Sequence, residues 1–121
     1  MKSTLVIGAS LNPSRYSHLA IHRLVGANEE VYAYGLKPGE VAGVPILTDR
    51  EAINIPDLDT ITLYVGPSRQ ADLFDWVVSL APKRVIFNPG TENPAFFSHL
   101  REHGIEPVMA CTLVMLSTAQ Y

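Results

Sequence analysis

Short apolar runs alternate with longer helical patterns along almost the whole sequence, and this alternation constrains the fold more than any other feature. The apolar runs predict strands over residues 4–7, 31–34, 44–47, 60–65, 84–87 and 106–109. Helical patterns are predicted over residues 17–25, 68–80, 93–103 and 111–119. Strands separated by helices are joined by right-handed parallel crossovers. The pattern therefore predicts a doubly wound, Rossmann-like α/β sheet of about five parallel strands, with helices on both faces.

Pro45 sets one strand of this sheet apart from the others. It lies in the middle of the run over residues 44–47. Because proline has no backbone N–H to donate to a ladder, it is tolerated mainly on edge strands. We therefore predict that residues 44–47 form a short edge strand.

The composition agrees with a sheet that is covered on both faces. The chain has 121 residues, which is the length of one domain, and only 17% of them are charged. The net charge is −3 and there is no basic run, which argues against nucleic acid as a partner. No apolar stretch is long enough to span a membrane, and Met1-Lys2 leads directly into the first strand. One cysteine, Cys111, allows no internal disulfide, so we expect a cytoplasmic protein.

The turn after the first strand predicts a phosphate site. The strand ends at Gly8-Ala9-Ser10, and a polar segment through Asn12 to Arg15 leads into the next helix. A strand, a tight turn and a helix N-terminus in that order form the phosphate site of many α/β proteins. The dinucleotide pattern G-x-G-x-x-G would need glycines at positions 10 and 13, where the chain has Ser10 and Pro13. An ordinary NAD site is therefore disfavoured.

The end of the second strand favours a ligand with a phosphorylated ribose. NAD proteins place an acidic residue there to hold the ribose 2′-hydroxyl. This chain has Tyr34-Gly35-Leu36-Lys37, with a cation and no acid. That choice suits NADP or coenzyme A, although a lone lysine in a loop is also common without any ligand.

The remaining strand-end turns are candidates for the rest of the site. Pro67 and Arg69 follow the central strand, and Asn88 and Gly90 follow the next strand. The second of these turns is also a normal lead into a capped helix, so a structural role stays open.

No catalytic residue or metal site is predicted. Cys111 is taken as a packing residue, although a helix N-terminus could activate its thiol. His18 and His22 are spaced as on one helix face, and so are His99 and His103, but no third ligand accompanies either pair.

Taken together, these segments resemble the small single-domain CoA-binding proteins, which are relatives of the CoA-binding domain of succinyl-CoA synthetase. The resemblance covers nearly the whole chain. It rests on V-x-G-A-S-x-N-P-x-R at 6–15, V-Y-x-x-x-x-K at 31–37, G-E-x-x-G-V-P at 39–45 and P-x-R at 67–69, and on Cys111 after the last strand. The family usually has Asn-Pro-Lys after the second strand, where this chain has Gly35-Leu36-Lys37.

The resemblance implies that coenzyme A is the ligand, with its pyrophosphate over the Gly8 turn. The residues implied at the site, with their neighbours in the same motif, are Gly8, Ala9, Ser10, Asn12, Arg15, Lys37, Pro67, Arg69, Asn88 and Gly90. Two alternatives stay open: an enzyme or redox sensor that uses NADP or another nucleotide, and a module without a ligand that binds a protein partner. A homo-oligomer is also possible.

Overall fold

The structure is a computed structural model that describes residues 1–121. A seven-stranded sheet forms its centre, in the order β3-β4-β2-β1-β5-β6-β7. The strands are β1 (Ser3–Ala9), β2 (Glu30–Gly35), β3 (Gly39–Val41), β4 (Val44–Leu47), β5 (Thr60–Leu63), β6 (Arg84–Phe87) and β7 (Glu106–Met109). All neighbouring pairs are parallel except β3 and β4. The predicted doubly wound α/β class is confirmed.

Four α-helices flank the sheet: α1 (Tyr16–Gly26), α2 (Phe74–Leu80), α3 (Pro94–Glu102) and α4 (Thr112–Ser117). Successive side chains of β1 point to opposite faces of the sheet, and both faces are buried. Leu5 and Ile7 join a core cluster with α2 and α3. Val6 joins the second cluster, which contains α1 residues and packs against α4. Helices on both faces explain why the strands are almost uniformly apolar.

The sheet has more strands than the sequence indicated, because residues 39–41 pair with β4 as an antiparallel hairpin. Ala42 and Gly43 at its tip both have positive φ, as a two-residue hairpin turn requires. The prediction that residues 44–47 lie at the sheet edge is therefore wrong, since β3 is outside them. Pro45 is tolerated because β2 pairs with Ile46 and Leu47 only.

The helix predicted over 68–80 is also shorter than expected. Two 3-10 turns, Pro67–Arg69 and Ala71–Leu73, precede α2. Ser68 is inside the first turn and does not cap a helix. Helix α3, by contrast, has a side-chain cap, because the Asn93 side chain accepts a hydrogen bond from the Phe96 N–H. None of the helices is long and apolar enough to cross a membrane.

Candidate functional site

A cleft of about 1100 Å³ opens where β1, β2 and β5 end, and it collects most of the predicted site residues. The predicted residues that line it are Gly8, Ala9, Ser10, Asn12, Arg15, Lys37, Arg69 and Gly90. Pro67 and Asn88 do not line it. The sheet topology explains this convergence, because the carboxyl ends of parallel strands lie at one edge, where α/β proteins bind ligands.

Gly8 forms a bulge at the floor of the cleft. The pairing of β1 with β2 skips it, since Ile7 pairs with Tyr34 and Ala9 pairs with Gly35. Its φ is +93°, and a Cβ there would lie 2.9 Å from the backbone of Tyr64. A Cβ on Gly35 would clash with the carbonyl oxygen of Ala9. Both positions therefore need glycine if the backbone is to keep this shape.

The next turn is held in place by its own polar side chains. The Asn12 N–H donates to Ser10 Oγ at 3.1 Å, and Asn12 Oδ1 accepts from the Ser14 N–H at 3.0 Å. His18 Nδ1 on α1 bonds the carbonyl oxygen of Ser10 at 2.9 Å. This role of His18 could not be predicted from its spacing with His22, which is the spacing of a metal-binding pair. Asn12 and His18 shape the turn, whereas the exposed side chain of Arg15 remains unpaired.

Helix α1 begins beside this turn without a side-chain cap. Arg15 is its N-cap residue and makes no capping hydrogen bond. His18 and Leu19 N–H groups bond the Arg15 carbonyl, while the N–H groups of Tyr16 and Ser17 have no partner in the chain. Uncapped N–H groups and the positive end of the helix dipole favour an anion at this position.

Three of the four cations that line the cleft form no ion pair, the exception being Arg50. Arg15, Lys37 and Arg69 are all exposed, and the ion pairs of the molecule involve other residues. They come from three different strand-end turns. Their uncompensated charge makes the cleft attractive to a polyanion.

Asn88 is buried, and both its amide nitrogen and its amide oxygen form hydrogen bonds inside the protein. Its Nδ2 donates to Thr62 Oγ1 at 2.7 Å and to the Leu63 carbonyl at 2.9 Å. Its Oδ1 accepts from the Thr112 N–H at 2.9 Å. Asn88 therefore ties β5 to the start of α4 behind the cleft, which is why it does not line the cleft.

Several residues that build the cleft walls could not be predicted from the sequence. Gln70 is fully buried, and its Nε2 donates to the carbonyls of Val65 at 2.8 Å and Thr91 at 2.7 Å. These bonds join the turns after β5 and β6. On the opposite side, Arg50 donates to Tyr34 Oη at 3.0 Å and pairs with Asp72 at 2.8 Å. Apart from the bond between Gln70 and Val65, these contacts join residues that are distant in the chain, so no local pattern could reveal them.

Tyr64 lines the same cleft with a half-buried residue, and its hydroxyl lies beside Thr62 and Thr112. Burial raises the pKa of its hydroxyl to about 12. The hydroxyl is buried without a hydrogen-bond partner, while the neighbouring hydroxyls of Thr62 and Thr112 bond each other at 2.8 Å. The phenol is therefore protonated throughout the physiological range and is a poor proton acceptor there.

Cys111 and the four histidines do not line the cleft, although His18 supports its turn through the Ser10 carbonyl. Cys111 is the N-cap residue of the short helix α4 and does not line the cleft. The rings of His18 and His22 lie 5.1 Å apart, and those of His99 and His103 lie 4.9 Å apart. No group of three or more His, Cys, Asp or Glu side chains is arranged to hold a metal ion.

The chain is similar to several proteins of known structure. An uncharacterized protein with a crystal structure is 47% identical in sequence to this chain. Its TM-score is 0.94, and the match covers 100% of this chain and 98% of that one. A Thermus thermophilus protein, cell-free ID.343, is 24% identical, with a TM-score of 0.88 over 99% of this chain and 90% of that one. A dinucleotide-forming acetyl-coenzyme A synthetase from Ca. Korarchaeum cryptofilum shares the fold at 15% identity, with a TM-score of 0.72 over 92% of this chain and 26% of that one.

The sequence also matches one family model, and no curated protein matches it. That model describes the CoA binding domain and covers residues 2–117, which include every strand and helix of the fold and the whole cleft. The resemblance drawn from the strand-end motifs is thereby confirmed. The chain belongs to the CoA binding domain family.

Proposed function

We propose that the chain is a binding module for coenzyme A, with the ligand in the cleft at the ends of β1, β2 and β5. The observation that carries this proposal is the set of unpaired cations around a bulged glycine turn and an uncapped helix. Its membership of the CoA binding domain family supports the same ligand.

The pyrophosphate would lie over the Gly8 turn. Gly8 has no side chain that would block the phosphates, and the free N–H groups of Tyr16 and Ser17 supply hydrogen-bond donors. Arg15 would add a charged contact to the phosphate oxygens. Backbone donors of this kind are preorganised, so they cost little conformational entropy on binding.

The 3′-phosphate of the ribose would lie near Lys37. This lysine follows β2, it is exposed, and it has no carboxylate partner. The absence of an acidic residue at the end of β2 disfavours an unmodified ribose, whose hydroxyls need an acceptor. NADP shares the phosphorylated ribose and is therefore the competitor that the experiment must separate from coenzyme A.

The size of the cleft agrees with a ligand as long as coenzyme A. Ligand pockets in proteins are usually about 300–1,000 Å³. The present cleft is slightly larger than this range, at about 1100 Å³. It extends from Lys37 past the Gly8 turn to Gly90 and Thr91, which leaves room for an arm beyond the pyrophosphate.

Isothermal titration with coenzyme A, 3′-dephospho-coenzyme A, NADP and NAD tests this function. We expect coenzyme A to bind most tightly, and loss of the 3′-phosphate to weaken binding about tenfold, because one charge-assisted contact disappears. Lys37→Ala should weaken coenzyme A about tenfold and barely change the affinity for the dephosphorylated form. Lys83→Ala, which removes an equal charge at the amino end of β6, is the matched control. No heat from coenzyme A at millimolar concentration would overturn the proposal.

A further inference from the structure

One guanidinium joins the two walls of the cleft. Arg50 follows β4, and its Nε donates to Tyr34 Oη on β2 at 3.0 Å. Its Nη1 and Nη2 donate to the carbonyl and the carboxylate of Asp72, which follows β5, at 3.0 and 2.8 Å. In the sheet, β1 lies between β2 and β5. These hydrogen bonds therefore connect residues of the two strand ends that flank β1.

Two aromatic rings restrict the same guanidinium. Its central carbon is 5.3 Å from the ring centre of Trp76 and 5.7 Å from that of Tyr34. The two rings are 4.9 Å apart. We call Arg50, Tyr34, Asp72 and Trp76 the Arg50 bracket. Because the Arg50 and Asp72 side chains are 31% and 71% exposed, their ion pair adds little to stability by itself. Its main effect is on geometry.

Arg50 also separates the cleft from a second hollow. That hollow has a volume of about 410 Å³ and is lined by Ile53, Trp76 and Leu80 among others. Arg50 is the only residue that lines both. Its side chain is thus part of the wall that gives the cleft its shape on this side.

We propose that the Arg50 bracket sets the distance between the β2 and β5 walls of the cleft, so that Arg50 is a positioning residue for the phosphates of the ligand. This inference rests on the proposed function and deepens it. Three of the five guanidinium N–H groups are already used inside the protein, and Asp72 neutralises the charge. Arg15, Lys37 and Arg69 are the cations without partners, and direct contact with phosphate falls to them.

Replacement of Asp72 separates a positioning role from direct phosphate binding. If Arg50 bound phosphate directly, Asp72→Asn would free its charge and strengthen binding. If Arg50 positions the walls, the same change loosens them and weakens binding. Arg50→Lys keeps the charge and loses the fork of donors, so it should also weaken binding. Asp75→Asn is the matched control for Asp72→Asn, since Asp75 is almost fully exposed and does not line the cleft.

The experiment measures the affinity for coenzyme A by titration calorimetry and the emission of Trp76 without ligand, at neutral pH. Trp76 is the single tryptophan of the chain, so its emission reports on the bracket alone. We expect Asp72→Asn and Arg50→Lys each to weaken binding about fivefold and to change the emission, with Asp75→Asn changing neither.

Tighter binding by Asp72→Asn would overturn the proposal, and so would unchanged affinity in both bracket variants. Failure of the unaltered chain to bind coenzyme A would instead overturn the proposed function, and the positioning role would fall with it. The two failures are thus distinguished by the unaltered chain.

Discussion

Cations lie at both ends of the sheet. Those at the amino end have hydrogen-bond or ion-pair partners, whereas three of those at the carboxyl end have none. At the amino end, Arg84 Nε donates to Thr60 Oγ1 at 2.8 Å, and its guanidinium lies 4.8 Å from the ring centre of Tyr121. Asp59 is 4.0 Å from the same Nε. At the carboxyl end, Arg15, Lys37 and Arg69 have no carboxylate partner.

The backbone shows the same contrast. At the amino end, the carbonyl of Asp59 accepts from the N–H groups of Lys83 at 2.9 Å and Arg84 at 3.1 Å. At the carboxyl end, the N–H groups of Tyr16 and Ser17 have no partner and Gly8 is in the left-handed region. Most polar groups at the amino end have partners, with Nη2 of Arg84 as an exception, whereas several at the carboxyl end have none. Stability and binding are therefore concentrated in different places. Substitutions at the two ends should therefore have separable effects.

The largest effect is expected for Gly8→Ala. The new Cβ would be held at a φ of +93° and within 2.9 Å of the Tyr64 backbone, which cannot move as a flexible side chain could. Strain and overpacking together should lower the free energy of unfolding by about 3 kcal/mol. Because the displaced turn is the proposed phosphate site, coenzyme A affinity should fall at least about a hundredfold. Urea unfolding and titration calorimetry measure the two effects.

Gly43→Ala is the control for Gly8→Ala. Gly43 also has a positive φ, of +81°, but a Cβ there would meet nothing within 4 Å. Gly43→Ala should lower the free energy of unfolding only by the backbone strain, about 1–2 kcal/mol, and leave coenzyme A affinity unchanged. Equal effects of the two substitutions on binding would contradict the role given to the Gly8 turn.

The next effect concerns alkaline pH and the phenol of Tyr64. Its pKa is raised from 10.0 to about 12 by burial. Below pH 10 the phenol is neutral in both states and contributes nothing to the pH dependence. Between pH 10 and 12 the unfolded chain loses the proton while the folded chain keeps it, so stability falls. A rise of this size corresponds to about 2.7 kcal/mol, which is the upper limit of the loss.

Tyr64→Phe should remove this part of the alkaline loss. Urea unfolding at pH 8 and pH 11 measures it, and Tyr16→Phe at an exposed tyrosine is the control. Because the Tyr64 hydroxyl has no hydrogen-bond partner, its removal should leave stability at pH 8 equal or higher. Burial also raises the pKa of Tyr121, so part of the alkaline loss should persist in the variant. An identical pH dependence in Tyr64→Phe and the unaltered chain would contradict the prediction.

The strands and the strand-end turns could be predicted from the sequence because their signals are local. The residues that flank the apolar runs 84–87 and 106–109 in the sequence already mark where these strands begin and end. The strands in the structure have the same bounds. Strand β3 could not be predicted in the same way. Its hairpin turns at Ala42 and Gly43, and alanine is not a typical residue for a turn with positive φ. The Gly- and Pro-rich segment before it is typical of a loop.

The cleft could be predicted only in part, for the same reason. Arg15, Lys37 and Arg69 each follow a strand, so topology alone brings them to one edge. Arg50, Asp72 and Gln70 act through partners from other strands, and those contacts exist only once the sheet order is fixed. Asn88 shows the reverse case. It follows a strand as a site residue should, yet its amide is directed into the interior.

Arg84→Ala tests the amino end and should have a smaller effect on stability. The side chain is only 16% exposed, and its removal takes away the donor to Thr60 Oγ1 and one of the two cationic partners of Asp59, which keeps Lys83 at 3.7 Å. The packing of Arg84 against the Tyr121 ring is lost as well. We expect a loss of about 2 kcal/mol in the free energy of unfolding, with coenzyme A affinity unchanged. A change in affinity would show that the two ends are coupled through the sheet.

Arg69→Ala is the counterpart at the carboxyl end and should have the smallest effect on stability. Arg69 is exposed, it forms no ion pair, and it lines the cleft. Its loss should change the free energy of unfolding by less than about 0.5 kcal/mol. Binding of coenzyme A should weaken about fivefold and become less sensitive to salt, because one charge contact with a polyanion is missing. Arg101→Ala, an exposed arginine on α3 away from the cleft, removes the same charge and should alter neither quantity. If Arg69→Ala instead lowered stability as Arg84→Ala does, the division between a structural end and a binding end of the sheet would be wrong.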